Sequence, residues 1–143
     1  MKGSYVLLIK LSKAQTITIG SLSQIYFPQG YYAYVGSALG GVKGRLSHHL
    51  NRNKKPHWHI DYLLPKAPIT DIIIGASQGR VECAIARALG TQFDSIPGFG
   101  SSDCRCISHL FFTADGRQMK STIMKVLESL SIQPRLVKEL DQE

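Results

Sequence analysis

The sequence predicts a single α+β domain in which a small antiparallel or mixed sheet is flanked by helices. Three observations carry this. The first 38 residues hold closely spaced strand-like runs, which gives an antiparallel start, and helical patterns are interleaved with further strands after that. The chain has 143 residues and is 43% hydrophobic, enough for one core without disulfide staples. It contains no internal repeat, low-complexity tract or linker that divides it.

Residues 4–11, rich in Tyr, Val, Leu and Ile, read as the first strand. Residues 16–19 alternate Thr and Ile, 21–23 read as a turn, and 24–27 as a short strand stopped by Pro28. Gly30 leads into the most aromatic strand, 31–37. Gly40, Gly41 and Gly44 mark a loop-to-helix transition, and 42–51 reads as a short helix. Residues 58–64 alternate, with Trp58, Ile60 and Tyr62 on one side, and are expected to form a strand. A β-branched strand follows at 69–76, then a helix at 81–89 with Val81, Ile85, Ala88 and Leu89 on one face. After a Gly/Ser-rich stretch at 98–102, residues 107–113 read as a strand. Residues 118–130 read as an amphipathic helix with Met119, Ile123, Leu127 and Leu130 at helical spacing. The domain core is expected over 3–113, with the amphipathic helix within 117–130 and a charged, partly loose tail at 133–143.

Charge is scarce and uneven. The formal net charge is +7, yet residues 1–66 hold 9 Lys/Arg and a single acid, Asp61, whereas 67–143 are nearly neutral. All six tyrosines also lie in the first half. A basic, tyrosine-rich half implies an anionic partner, nucleic acid first, with a merely solubilising surface as the alternative. No stretch approaches the ~18 apolar residues of a membrane span, so no membrane partner is expected. The N-terminal apolar run, 6–9, is too short for a signal peptide. Three cysteines argue against a disulfide framework, and the cytoplasm is the expected location.

Two nucleotide-binding readings fail. Gly36 and Gly41 have phosphate-loop spacing, but Val42 stands where Lys is required. The 98–103 stretch ends in Asp103 and precedes a strand, unlike a dinucleotide fingerprint. Arg45 and His49, four apart on a helix, share a face just after the tyrosine strand. With Tyr34 they offer a phosphate clamp and two proton carriers, a set suited to phosphodiester cleavage. The same residues also fit a basic helix face over an aromatic core.

These stretches resemble the GIY-YIG nuclease superfamily. Gly3-Ser4-Tyr5 resembles its first half-motif, Tyr34-Val35-Gly36 its second, Arg45 and His49 its helix pair, and Glu82 its metal-binding glutamate. The phrases GYYAYVGSA (30–38), HWHIDYLL (57–64), Glu82-Cys83 and GFGSSDC (98–104) resemble a small uncharacterised prokaryotic branch of that superfamily, sometimes fused to base-excision-repair enzymes. The resemblance runs from residue 3 to about 112. Two departures stand out. Ser4 replaces the usual Ile, and 28 residues separate Tyr5 from Tyr34 where a short hairpin is usual. A strand pair inserted within 15–27 accounts for the excess, and Tyr5 reaches the pocket only if that insertion keeps the two strands in register.

The resemblance implies a metal-dependent endonuclease acting on DNA, in repair or in processing of structured DNA. One Mg²⁺ or Mn²⁺ on Glu82 is expected, with Arg45 on the phosphate and Tyr5 or His49 as general base near Tyr34. Gly3 and Gly36 serve as motif glycines. Lys43, Arg52, Lys54, Lys55, His57 and His59 are expected to contact nucleic acid, with RNA as the other candidate partner and a DNA-repair enzyme as a protein partner. On a strand, His57, His59 and Asp61 point one way, which invites a transition-metal reading. Cys104, Cys106 and His109, with Cys83 near them, form a second ligand-like group whose spacing matches no standard zinc pattern, so zinc is the less favoured ion. Two other readings stand beside the nuclease. One is a catalytically silent nucleic-acid-binding module, the other a zinc-stabilised interaction domain.

Overall fold

A computed structural model describes residues 2–38, 40–51, 54–77, 79–102 and 104–137. Its frame is a six-stranded sheet whose neighbouring strands all run antiparallel. The first strand, β1 (Gly3–Leu11), occupies the interior, between β4 (Gly30–Ala38) and β5 (Ile69–Ala76). β6 (Asp94–Ser95) and β7 (Leu110–Thr113) extend the sheet beyond β4, and β8 (Pro134–Val137) closes the other edge. The expected α+β class is what the chain adopts.

The composition of β1 follows from its place. Its odd positions Tyr5, Leu7, Ile9 and Leu11 enter one apolar cluster, and its even positions Val6 and Leu8 enter another on the opposite face. Burial on both faces requires an unbroken apolar run rather than alternation, hence Val6-Leu7-Leu8-Ile9. The first cluster is covered by α1 (Val42–Leu50), by α2 (Ile60–Leu63) and by a separate two-stranded sheet of β2 (Gln15–Thr18) and β3 (Gln24–Phe27). The second is covered by α3 (Glu82–Leu89) and α4 (Met119–Ser129), through Ile85, Leu89, Ile123 and Leu127.

β2 and β3 are the inserted pair, and they leave the main ladder undisturbed. Tyr5 pairs with Gly36 and Leu7 with Tyr34, so both half-motifs lie side by side. Both motif glycines sit at close approaches. A Cβ on Gly36 would lie 2.3 Å from the Tyr5 ring, and one on Gly3 would lie 2.2 Å from the Gly75 carbonyl oxygen.

Three expectations need correction. Residues 58–64 are not a strand; Ile60–Leu63 is a helical turn. Asp61 decides this, because its carboxylate accepts hydrogen bonds from the backbone N–H groups of His57 (2.8 Å) and Trp58 (2.9 Å). That reach-back closes a turn and withdraws both donors from any ladder. The strand expected at 107–113 begins only at Leu110, since Ile107 is exposed and the His109 N–H bonds to the Phe99 carbonyl. Residues 134–137, expected in a loose tail, form the edge strand β8 on β5.

Candidate functional site

The end of β4 lies between the two covered faces, and a cleft of about 250 Å³ opens there. β4 supplies Tyr34, Gly36 and Ser37, α1 supplies Arg45, and the first turn of α3 supplies Glu82. Trp58, Arg80, Gly100 and His109 complete the wall. The Arg45 guanidinium lies 4.2 Å from the Trp58 ring centre, a cation–π contact that holds it flat. Arg80 approaches Glu82 at 3.9 Å but is mostly exposed, so the contact binds weakly.

Tyr5 and His49 stand behind this wall rather than in it. Both are buried, and the Tyr5 hydroxyl lies 2.6 Å from His49 Nε2. Burial lowers the His49 pKa to about 3; Asp61 opposes this, while His48, Arg45 and Lys54 reinforce it. The imidazole is therefore neutral at pH 7, and Nε2 accepts from the tyrosine when Nδ1 carries the proton. That Nδ1 lies 3.9 Å from Asp61 Oδ1, and neither atom has a hydrogen-bond partner within normal range. Tyr5, His49 and Asp61 thus form a buried file. Burial also raises the Tyr5 pKa above its ordinary value, though the charge and hydrogen bond of Arg45 draw it back. Tyr34 is raised too, by burial first and then by the neighbouring Tyr5. Both phenols are protonated donors at neutral pH.

The expected nucleic-acid contacts divide. Lys43, Lys55 and His57 are exposed. Lys54 donates to the His49 and Asn51 carbonyls and lies 3.9 Å from Asp61, so it helps to neutralise that buried carboxylate. The His59 Nδ1 accepts from the Gly100 N–H at 2.8 Å and ties down the loop that carries Phe99 into the core. Arg52 lies outside the described residues.

The metal reading of His57, His59 and Asp61 does not hold. It requires a strand, and on the turn Asp61 is engaged by two backbone N–H groups and by His48 at 3.1 Å. Burial alone would raise the Asp61 pKa; these hydrogen bonds, Trp58 N–H foremost, outweigh it and hold the pKa below the ordinary value. A second cavity of about 480 Å³ opens elsewhere and is lined by His49, Asp61, Lys54 and several Pro and Leu residues. It contains neither Tyr34, Arg45 nor Glu82.

The cysteines do come together. Cys83, Cys104, Cys106 and His109 place their ligand atoms within 4.8 Å of one another, so this possible metal site points to zinc rather than to Mg²⁺ or Mn²⁺. Spacing in the chain hid it because Cys83 comes from α3, 21 residues before Cys104. Burial, followed by hydrogen bonding to Cys106 and Cys104, pushes the Cys83 thiol up to about 12.

A family model described as "Domain of unknown function DUF123" matches residues 4–132, so the chain belongs to that family. No curated protein and no solved structure matches the chain.

Proposed function

We propose that this DUF123 member is a divalent-metal-dependent endonuclease that hydrolyses phosphodiester bonds in DNA. The single observation that carries the reading is the sharing of one cleft by Tyr34, Arg45 and Glu82, with the Tyr5–His49 pair directly behind it. The sequence resemblance to GIY-YIG nucleases supports the same assignment. Exposed Lys43, Lys55 and His57 suit contacts to the flanking phosphates, and the chemistry fits repair or processing of structured DNA, with RNA as a second class of substrate.

Glu82 would hold the ion. One carboxylate facing a polar cleft suits a hard cation that completes its shell with water and phosphate oxygens. Bound there, Mg²⁺ or Mn²⁺ supplies charge stabilisation at the phosphoryl group and the leaving oxygen. Arg45, held flat on Trp58, grips two non-bridging oxygens, which a lysine does poorly. The Tyr34 hydroxyl donates toward the same phosphate. The proton from the attacking water passes to the Tyr5 oxygen as the Tyr5 proton moves to His49 Nε2. Asp61 then faces the imidazolium at Nδ1 and stabilises its charge. Tyr5 and His49 thus share the role of general base.

A silent nucleic-acid-binding module is the second reading, favoured by the burial of both Tyr5 and His49. A panel of plasmid, nicked and branched DNA with Mg²⁺ or Mn²⁺ separates the two. Cleavage lost in Arg45→Ala and Glu82→Gln supports the nuclease. Salt-sensitive binding without cleavage under either ion supports the module.

A further inference from the structure

We propose that Cys83, Cys104, Cys106 and His109 form a structural Zn²⁺ site that clasps the start of α3 and the 98–109 loop to β4. Three elements that are distant in sequence meet there. Cys83 is the second residue of α3, Cys104 and Cys106 follow the Phe99 loop, and His109 immediately precedes β7.

The dimensions fit. An ideal tetrahedron with Zn–S of ~2.3 Å and Zn–N of ~2.0 Å separates its sulfurs by about 3.8 Å and sulfur from nitrogen by about 3.5 Å. His109 Nε2 lies 3.5 Å from Cys104 Sγ and 3.9 Å from Cys83 Sγ. Small side-chain adjustments therefore suffice to close four ligands on one ion.

The imidazole is already aimed. His109 is buried, and its Nδ1 lies 3.2 Å from the Val35 carbonyl oxygen. Donation of the Nδ1 proton to that carbonyl leaves the Nε2 lone pair facing the thiols, the outer-sphere arrangement usual for metal-bound histidine. The Val35 N–H in turn donates to the His109 carbonyl at 2.9 Å, fixing the backbone on both sides. Three sulfurs and one imidazole complete a closed, soft donor set, which selects zinc and leaves no open position for catalysis. Binding replaces three S–H bonds by Zn–S bonds and releases three protons to solvent.

The consequence reaches the cleft without depending on what the cleft does. Glu82 precedes Cys83 directly, and His109 lines the cleft beside Gly100 and Glu82. A zinc ion would anchor that wall from behind.

The test uses the full chain and inorganic Zn²⁺. After chelation, all three cysteines should react with a thiol reagent, and one equivalent of Zn²⁺ should protect all three. Co²⁺ in place of Zn²⁺ should give the intense visible absorption of a tetrahedral thiolate site. Cys104→Ser should weaken Zn²⁺ binding by about tenfold or more. Thiols that react equally fast with and without Zn²⁺ would overturn the proposal. So would a pale octahedral Co²⁺ spectrum, or one equivalent of iron instead of zinc in the purified protein. The protection experiment needs no variant, so misfolding of Cys104→Ser leaves the result decisive.

Discussion

The Tyr5 hydroxyl and His49 Nε2 lie 2.6 Å apart in the interior, although 44 residues separate them in the chain. The ladder between β1 and β4 carries Tyr5 to one end of the sheet, and α1 returns His49 over it. Glycine at position 36 makes room for the phenol ring between them.

Gly36→Ala is therefore expected to destabilise the fold by ~1–3 kcal/mol, the usual cost of overpacking a filled interior. Gly44→Ala is the matched control. It lies within α1 with nothing near its added methyl, so it should stabilise by ~0.5–1 kcal/mol. Urea unfolding of both variants measures the opposite signs.

Stability should depend on pH through His49. Its folded pKa of about 3 lies below the ordinary 6.5, so the unfolded chain binds the extra proton between those values. The stabilisation is complete above pH 6.5 and drains away as pH falls toward 3, by up to ~1.4 kcal/mol per pH unit for this one group. His59, also lowered by burial, adds a loss of the same sign. Urea midpoints between pH 7 and 4 should fall in the native chain and fall less in His49→Gln.

Asp61 is expected to act through structure. Replacing it with Ala leaves the His57 and Trp58 N–H groups and the Lys54 ammonium without their partner, at a cost of ~3–5 kcal/mol. Asn keeps one acceptor oxygen and should cost less. Metal content measured on Asp61→Asn should be unchanged, because the cysteine cluster does not include this residue.

Arg45 should act through substrate. Arg45→Lys keeps the charge but loses the planar fork over Trp58. On duplex DNA, Arg45→Ala should reduce the log–log salt slope of binding by about 1, whereas Arg45→Lys should preserve the slope and still depress cleavage. Thermal melts that match the native chain would confirm that neither variant disturbs the fold.

Much of the fold was legible because periodicity and burial agree along β1, β4 and β5 and along α3 and α4. The region around α2 was not, since Trp58, Ile60 and Tyr62 alternate as a strand would while one carboxylate turns the backbone. An Asp three and four residues after two backbone donors was the readable sign, in the manner of a capping box. The short strand β8 carries too few residues to signal itself, and the β5 edge selects it. At the site, Tyr34, Arg45 and Glu82 were visible as residue types at suggestive spacings. The recession of Tyr5 and His49 behind the wall was not, because sequence spacing carries no depth. The zinc-ligand geometry was hidden for a related reason, since Cys83 reaches its partners only through the packing of α3.

The most direct test of the central claim measures DNA cleavage and DNA binding together in Glu82→Gln. This substitution removes one charge and almost no volume. With Mg²⁺ or Mn²⁺, the native chain is predicted to cut plasmid or branched DNA, and Glu82→Gln is predicted to bind it with similar affinity but leave it intact. Cleavage by Glu82→Gln at the native rate would contradict the assignment.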